Sequence, residues 1–201
     1  MMRRAFSRLK REDGFTLSEM LVVISILGLI LGAFSLIFSS AIHHSGEIQE
    51  QNLLQTEVRA ATDRIAREVR QSYYGDTTQT VIKMSTGTQL QFYSLDNQQP
   101  YHLRLIAYRL NGSTLERATA TSPLTGGPPW GTFPALSAWG PLVDSIKNAT
   151  IFTYFDGASP TPNATTTPAN VRSVAITLSV ATGTTPGRQF TYNTSAALRA
   201  T

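Results

Sequence analysis

From Met20 to Ile42 the chain runs for 23 positions without a charged residue. As a helix rising ~1.5 Å per residue this stretch covers about 35 Å, enough to cross a hydrocarbon core of roughly 30 Å. Arg3, Arg4, Arg8, Lys10 and Arg11 stand just before it, and no comparable basic cluster follows closely. The positive-inside rule then keeps the N-terminus in the cytoplasm and places everything after Ile42 outside. With Glu12 and Asp13 included, residues 1–14 carry +3 of the chain's formal +4, which leaves the remainder near +1. Basicity therefore belongs to the leading segment, and the rest has no global electrostatic claim on nucleic acid or anionic lipid. The 201 residues suffice for one sizeable domain with an added element, and the absence of cysteine excludes a disulfide framework or a thiolate metal site.

Three readings of this segment compete. Ser39-Ser40-Ala41 is an acceptable small-x-small cleavage site for a secretory signal, yet the apolar stretch far exceeds the roughly 7–15 residues of an ordinary signal core. A plain N-terminal anchor fits the length better. Neither explains Glu19, a carboxylate at the start of the apolar run, whose burial at the centre of a membrane helix would cost about 2.5–3.5 kcal/mol.

The third reading comes from the residues around that glutamate. Gly14-Phe15-Thr16-Leu17-Ser18-Glu19-Met20-Leu21-Val22-Val23 resembles the class III signal of type IV pilins and type II secretion pseudopilins. The resemblance implies that a prepilin peptidase removes leader 1–14 by cutting after Gly14 and methylates the new amine of Phe15, while the transmembrane helix 15–42 stays attached. It also implies that Glu19 meets the N-terminal amine of a neighbouring subunit, and two opposite charges in a low-dielectric bundle do compensate each other. Gly28 and Gly32 form a G-x-x-x-G pair that would let another helix approach closely. Many filament-forming pilins have a proline in this segment; here the first is Pro100, a departure that bears on whether the helix loosens on assembly.

Without proline a helix can run from Phe15 to about Tyr73, with Gly46 as a possible bend, its outer part 43–74 being amphipathic. Leu54, Val58, Ala61, Ile65 and Val69 repeat at spacings of four and three and predict one apolar stripe. Arg59, Arg64, Arg67 and Arg70 fall on the opposite side, with Asp63 placed to pair with Arg59 or Arg67. From 75 to 201 the texture is antiparallel strand. Leu90-Gln91-Phe92-Tyr93 and Leu103-Arg104-Leu105 alternate, and Asn111-Gly112 predicts a hairpin with both residues at its centre. Ile151 to Phe155, Val171 to Val180 and Gln189 to Tyr192 read as further strands, separated by loops 121–141 and 157–170. The predicted fold is α+β: a long N-terminal transmembrane and amphipathic helix packed on an antiparallel β-sheet domain, as in pilins.

A looser resemblance, to the J-type minor pseudopilins and related minor pilins, rests on Tyr108-Arg109-Leu110, Leu115-Glu116-Arg117, Val143, Ile146, Phe152 to Asp156 and Leu198-Arg199. It implies a minor subunit that acts with other subunits in initiating a filament or building its tip, alongside an inner-membrane assembly platform. The alternatives are a major pilin and a competence pilin whose arginine face or loop touches DNA. No enzymatic constellation is visible: adjacent His43 and His44 point about 100° apart on a helix, unlike an H-x-x-x-H metal pair, and suit a polar junction at the membrane surface. No cofactor or metal is expected; Asp144 and Asp156 fit turns and caps better than calcium, Trp130 packs back onto the sheet, and the sequons at Asn111, Asn148, Asn163 and Asn193 receive no function.

Overall fold

A computed structural model describes residues 15–73, 80–96, 98–157, 164–181 and 189–199, with the side chains of His44 and Glu47 excepted. The leader 1–14 with Gly14, the Tyr74-Gly75 boundary, Asn163 and part of the expected 157–170 loop lie outside the described residues. The chain divides into two compact units, up to Ile48 and from Gln49 onward. One helix, α1 (Leu17–Arg70), contributes to both and is helical through Gly46.

In the first unit, residues 15–43 are exposed throughout, including Leu21, Ile24, Leu29, Phe34 and Phe38. The helix is long and apolar enough to cross a membrane. In water such a surface would be strongly unfavourable, at about 25 cal/mol per Å² of apolar area.

Among the described residues the second unit holds eight strands in two antiparallel meanders. β1 (Ile82–Ser85), β2 (Gln89–Leu95), β3 (His102–Asn111), β4 (Thr114–Thr125) and β5 (Gly140–Val143) form one sheet in chain order, and β6 (Phe152–Phe155), β7 (Ser173–Ala181) and β8 (Gln189–Ala197) form another. Hydrogen bonds to the β1–β2 turn tie the sheets together. The Gly87 carbonyl accepts from the Ile151 and Phe152 amides at 2.8 and 3.1 Å, and the Tyr154 hydroxyl donates to the carbonyls of Thr86 and Gln89 at 2.9 and 2.7 Å. Asn148, which entered the sequence reading only as a sequon, closes a further join: its amide donates to Thr177 O at 2.8 Å and its oxygen accepts from Ser179 N at 2.9 Å.

The outer turns of α1 supply Val58, Ala61, Ile65, Ala66 and Val69 to a core shared with Phe92, Ile106 and Tyr108 of the first sheet and Phe152, Ile176 and Leu178 of the second. The stripe read at spacings of four and three is thus the buried face, with Leu54 half-buried at its start. A smaller cluster of Tyr93, Leu103, Leu105, Ala120 and Trp130 takes the alternate residues of β2 and β3 and is covered by Phe133 and Leu136. The first sheet is therefore covered on both faces, and its central strands bury consecutive residues, Phe92 to Ser94 and Leu105 to Tyr108, rather than only alternate ones. α1 ends where Ser72 bridges to Ser94 and the Tyr73 amide donates to Tyr93 O at 2.8 Å, so the chain leaves the helix by joining the sheet.

Three local expectations shift. The hairpin turn sits one residue later: Asn111 pairs with Thr114, and Gly112 at φ +63° takes the first central place, as a II′ turn requires. The loop expected from 121 begins after Thr125, because β4 continues opposite His102 across an irregularity that accommodates Pro123; it ends before Gly140. β8 extends past Tyr192 to Ala197, paired with β7 along its whole length.

Candidate functional site

Phe15 is 73% exposed and precedes the helix by two positions. Thr16 is the N-cap, its hydroxyl oxygen accepting from the Glu19 amide at 3.2 Å while its carbonyl accepts from Glu19 and Met20 at 3.1 and 3.2 Å. Glu19 is therefore the third helical residue, in the first turn, where the amides and the helix dipole favour negative charge. Thr16-x-x-Glu19 has the spacing of a capping box, a signal already present in the sequence. The carboxylate has a local reason to stand there besides any contact with another chain.

Gly28 and Gly32 lie on one face of the apolar segment, four residues apart. A Cβ added at either would meet nothing within 4 Å, so packing within this chain does not demand a glycine.

In the second unit Glu68, which the sequence reading did not single out, gathers several polar partners. Its carboxylate accepts from Tyr108 Oη at 2.5 Å, from Arg117 Nη2 and Nε at 3.0 and 3.2 Å, and from Arg64 Nε at 3.3 Å. Glu68 and Arg117 side chains are each only 17% exposed. The arrangement clamps α1 to β3 and β4. Burial, then the Glu68 charge and its hydrogen bond, push the Tyr108 phenol far above its ordinary range. Burial opposes the charge on Arg117, but the neighbouring Glu68 outweighs it and raises that group further. Arg64 thus belongs to Glu68, while Asp63 lies exposed and makes no ion pair among the described residues. The available signal was the Arg64/Glu68 spacing of four next to a buried Ile65.

Arg109 bonds Glu116 at 2.6 Å and sits 4.0 Å over the ring of Trp139, fastening the end of the 126–139 loop to the hairpin. Hydrogen bonds from Arg109 and then Asn111 hold the Glu116 carboxyl below its usual range. Trp130 is buried as expected, beneath the sheet's second face, with its carbonyl accepting from Ser122 Oγ. Asp144 accepts from Thr114 Oγ1 at 2.6 Å, a strand-end role. Among the described residues no three His, Cys, Asp or Glu side chains converge closely enough to hold a metal ion. The residues carrying the looser resemblance are thus spread between the Glu68 clamp, the Arg109 contacts and the core.

Residues 9–35 match the family model of the prokaryotic N-terminal methylation motif. The matched stretch contains Gly14, Phe15, Thr16, Glu19, Gly28 and Gly32. No curated protein matches the chain. The motif supports a subunit of pilin or pseudopilin type, processed by a prepilin peptidase and carried on an apolar N-terminal helix.

Proposed function

We propose that the chain is a minor pilin or pseudopilin, cut after Gly14, methylated at Phe15 and assembled through its N-terminal helix into the starting or tip region of a pilus-like or type II secretion filament. The observation that carries this is the coincidence of the methylation motif at residues 9–35 with a helix that begins at Leu17 and exposes its apolar surface through residue 43. Before assembly the helix spans the inner membrane with the second unit outside, and afterwards it lies among the helices of other subunits. There Glu19 compensates the N-terminal amine of a neighbour, since each charge alone would be costly away from water. The Gly28/Gly32 face admits the close approach of a second helix. Support for a minor rather than a major role is the looser likeness around Tyr108, Arg117 and Phe152. A DNA-contacting role has less support, because Arg64 is engaged by Glu68 within the fold.

Intact-mass analysis of the chain from its native membrane, with and without the prepilin peptidase, tests the processing. A product starting at methylated Phe15 only when the peptidase is present is the expected result; an uncut chain in both cells, or a start at Ile42, would defeat it. Purified filaments made mainly of this chain would defeat the minor role alone.

A further inference from the structure

The four outer strands of the two sheets are not protected alike. β1 and β5 are four residues long; β1 carries an irregularity and is tied at Ser85 Oγ to Thr166 O, and β5 contains Pro141. β6, also four residues, is covered by the Phe155–Ala164 bridge and by the Thr165 amide on Tyr154 O. β8 is different: nine residues, Gln-Phe-Thr-Tyr-Asn-Thr-Ser-Ala-Ala, in unbroken register with β7, with no proline and no charge. Exposed edges of that length are normally blunted by such devices because unpaired backbone groups template another strand.

The hydrogen bonds fix which groups face outward. Thr177 N bonds Ile151 O and Ser179 O accepts from Lys147 N, so the odd residues of β7 turn away from β8 and the even ones toward it. Their partners Phe190, Tyr192, Thr194 and Ala196 therefore complete the ladder, and the amides and carbonyls of Thr191, Asn193 and Ser195 point off the edge. Arg70 Nη2 reaches Ser195 O at a long 3.4 Å.

We propose that β8 pairs edge to edge with β8 of a second copy of this chain, antiparallel, about a two-fold axis at Asn193. That register uses the whole strand, sets Asn193 opposite Asn193 of the copy and Thr191 opposite Ser195, and brings no like charges together. It joins two three-stranded sheets into one and, among the described residues, displaces only the long Arg70 contact. The pairing goes beyond the filament reading and does not depend on it.

The chain has no cysteine, so an introduced thiol is unique. Asn193→Cys in the full chain, in its membrane, is treated with mild oxidant. A hydrogen-bonded antiparallel pair has Cα atoms about 5.5 Å apart, within disulfide reach. The expected product is a disulfide dimer of the chain, far above the level from Thr153→Cys on β6. Thr191→Cys and Ser195→Cys should each stay at that background, four residues or about 13 Å out of register with themselves, yet cross-link when the two variants are co-expressed. Adding Thr191→Pro, whose missing N–H faces away from β7, should abolish the Asn193→Cys dimer. Background-level cross-linking of Asn193→Cys, equal dimer from Thr191→Cys alone, or a disulfide adduct with a different protein would each overturn self-pairing.

Discussion

The hydroxyl of Tyr108 on β3 donates to the carboxylate of Glu68 on α1 at 2.5 Å, and the same carboxylate takes two bonds from Arg117 on β4. A carboxylate so far from solvent is tolerated because its lone pairs are occupied by a cation and a phenol, and removing it strands both. Glu68→Gln should therefore destabilise the second unit by about 2 kcal/mol, the usual range for hydrogen bonds to charged groups being about 1.5–3. Thermal melting of the detergent-solubilised chain measures this. A loss no larger than that of Asp63→Asn, an exposed carboxylate on the same helix, would show that the clamp is not a source of stability.

The clamp also predicts behaviour in alkali. Burial and Glu68 raise the Tyr108 phenol, and burial raises that of Tyr154. A group held protonated in the folded state contributes stability that is complete below its unfolded value, 10.0 here, and that is lost as the pH climbs past it. Both phenols should stay un-ionised until the domain unfolds, seen as tyrosinate absorbance that rises together with loss of circular dichroism. Tyr108→Phe should make the alkaline transition shallower; an unchanged profile would disprove the assignment.

The sequence was most legible where one period dominates. Val58, Ala61, Ile65 and Val69 had to share a face whatever covered them, and the methylation motif matched at residues 9–35 lies in residue order alone. It was least legible where the partner is distant in the chain. Nothing local to Glu68 says that Arg117, 49 residues on, will reach it, and nothing near residue 122 says that β4 continues past Pro123. On the second face of the first sheet Trp130 was foreseen, but Phe133 and Leu136 were hidden, since they come from a Gly/Pro-rich loop with no period. Gly112 shows the finer limit: turn chemistry located the hairpin but not which side of the glycine would be its centre.

That loop makes a separable prediction. Trp130 is 7% exposed against Tyr93, Leu103 and Leu105, and its indole nitrogen has no hydrogen-bond acceptor among the described residues. Trp130→Ala should cost about 3 kcal/mol and raise binding of a hydrophobic dye as the sheet's second face is uncovered. Trp130→Phe should cost much less, since it keeps most of the packing and removes a buried donor without a partner. Equal losses from the two would mean that the N–H, not the ring, matters. Trp139→Ala should cost about 1 kcal/mol, the worth of a cation–π contact between half-buried side chains, because Glu116 still holds Arg109.

Gly28 and Gly32 separate folding from assembly. Within the chain a Cβ added at either position meets no atom within 4 Å, and replacing glycine by leucine favours helix by up to about 1 kcal/mol. Gly28→Leu and Gly32→Leu should therefore leave membrane insertion and cleavage intact. If the pair is where another helix approaches, the added bulk forces the two axes apart and filament incorporation falls, while the membrane pool of processed chain stays constant or grows. Immunoblots of sheared filaments against membranes measure the two pools separately. Ala33→Leu adds comparable bulk about 100° around the helix from Gly32 and should be tolerated better. An equal loss at Ala33 would mean that the segment resists bulk everywhere and that the glycine pair is no special contact; no loss at any of the three positions would place the helix contacts on another face.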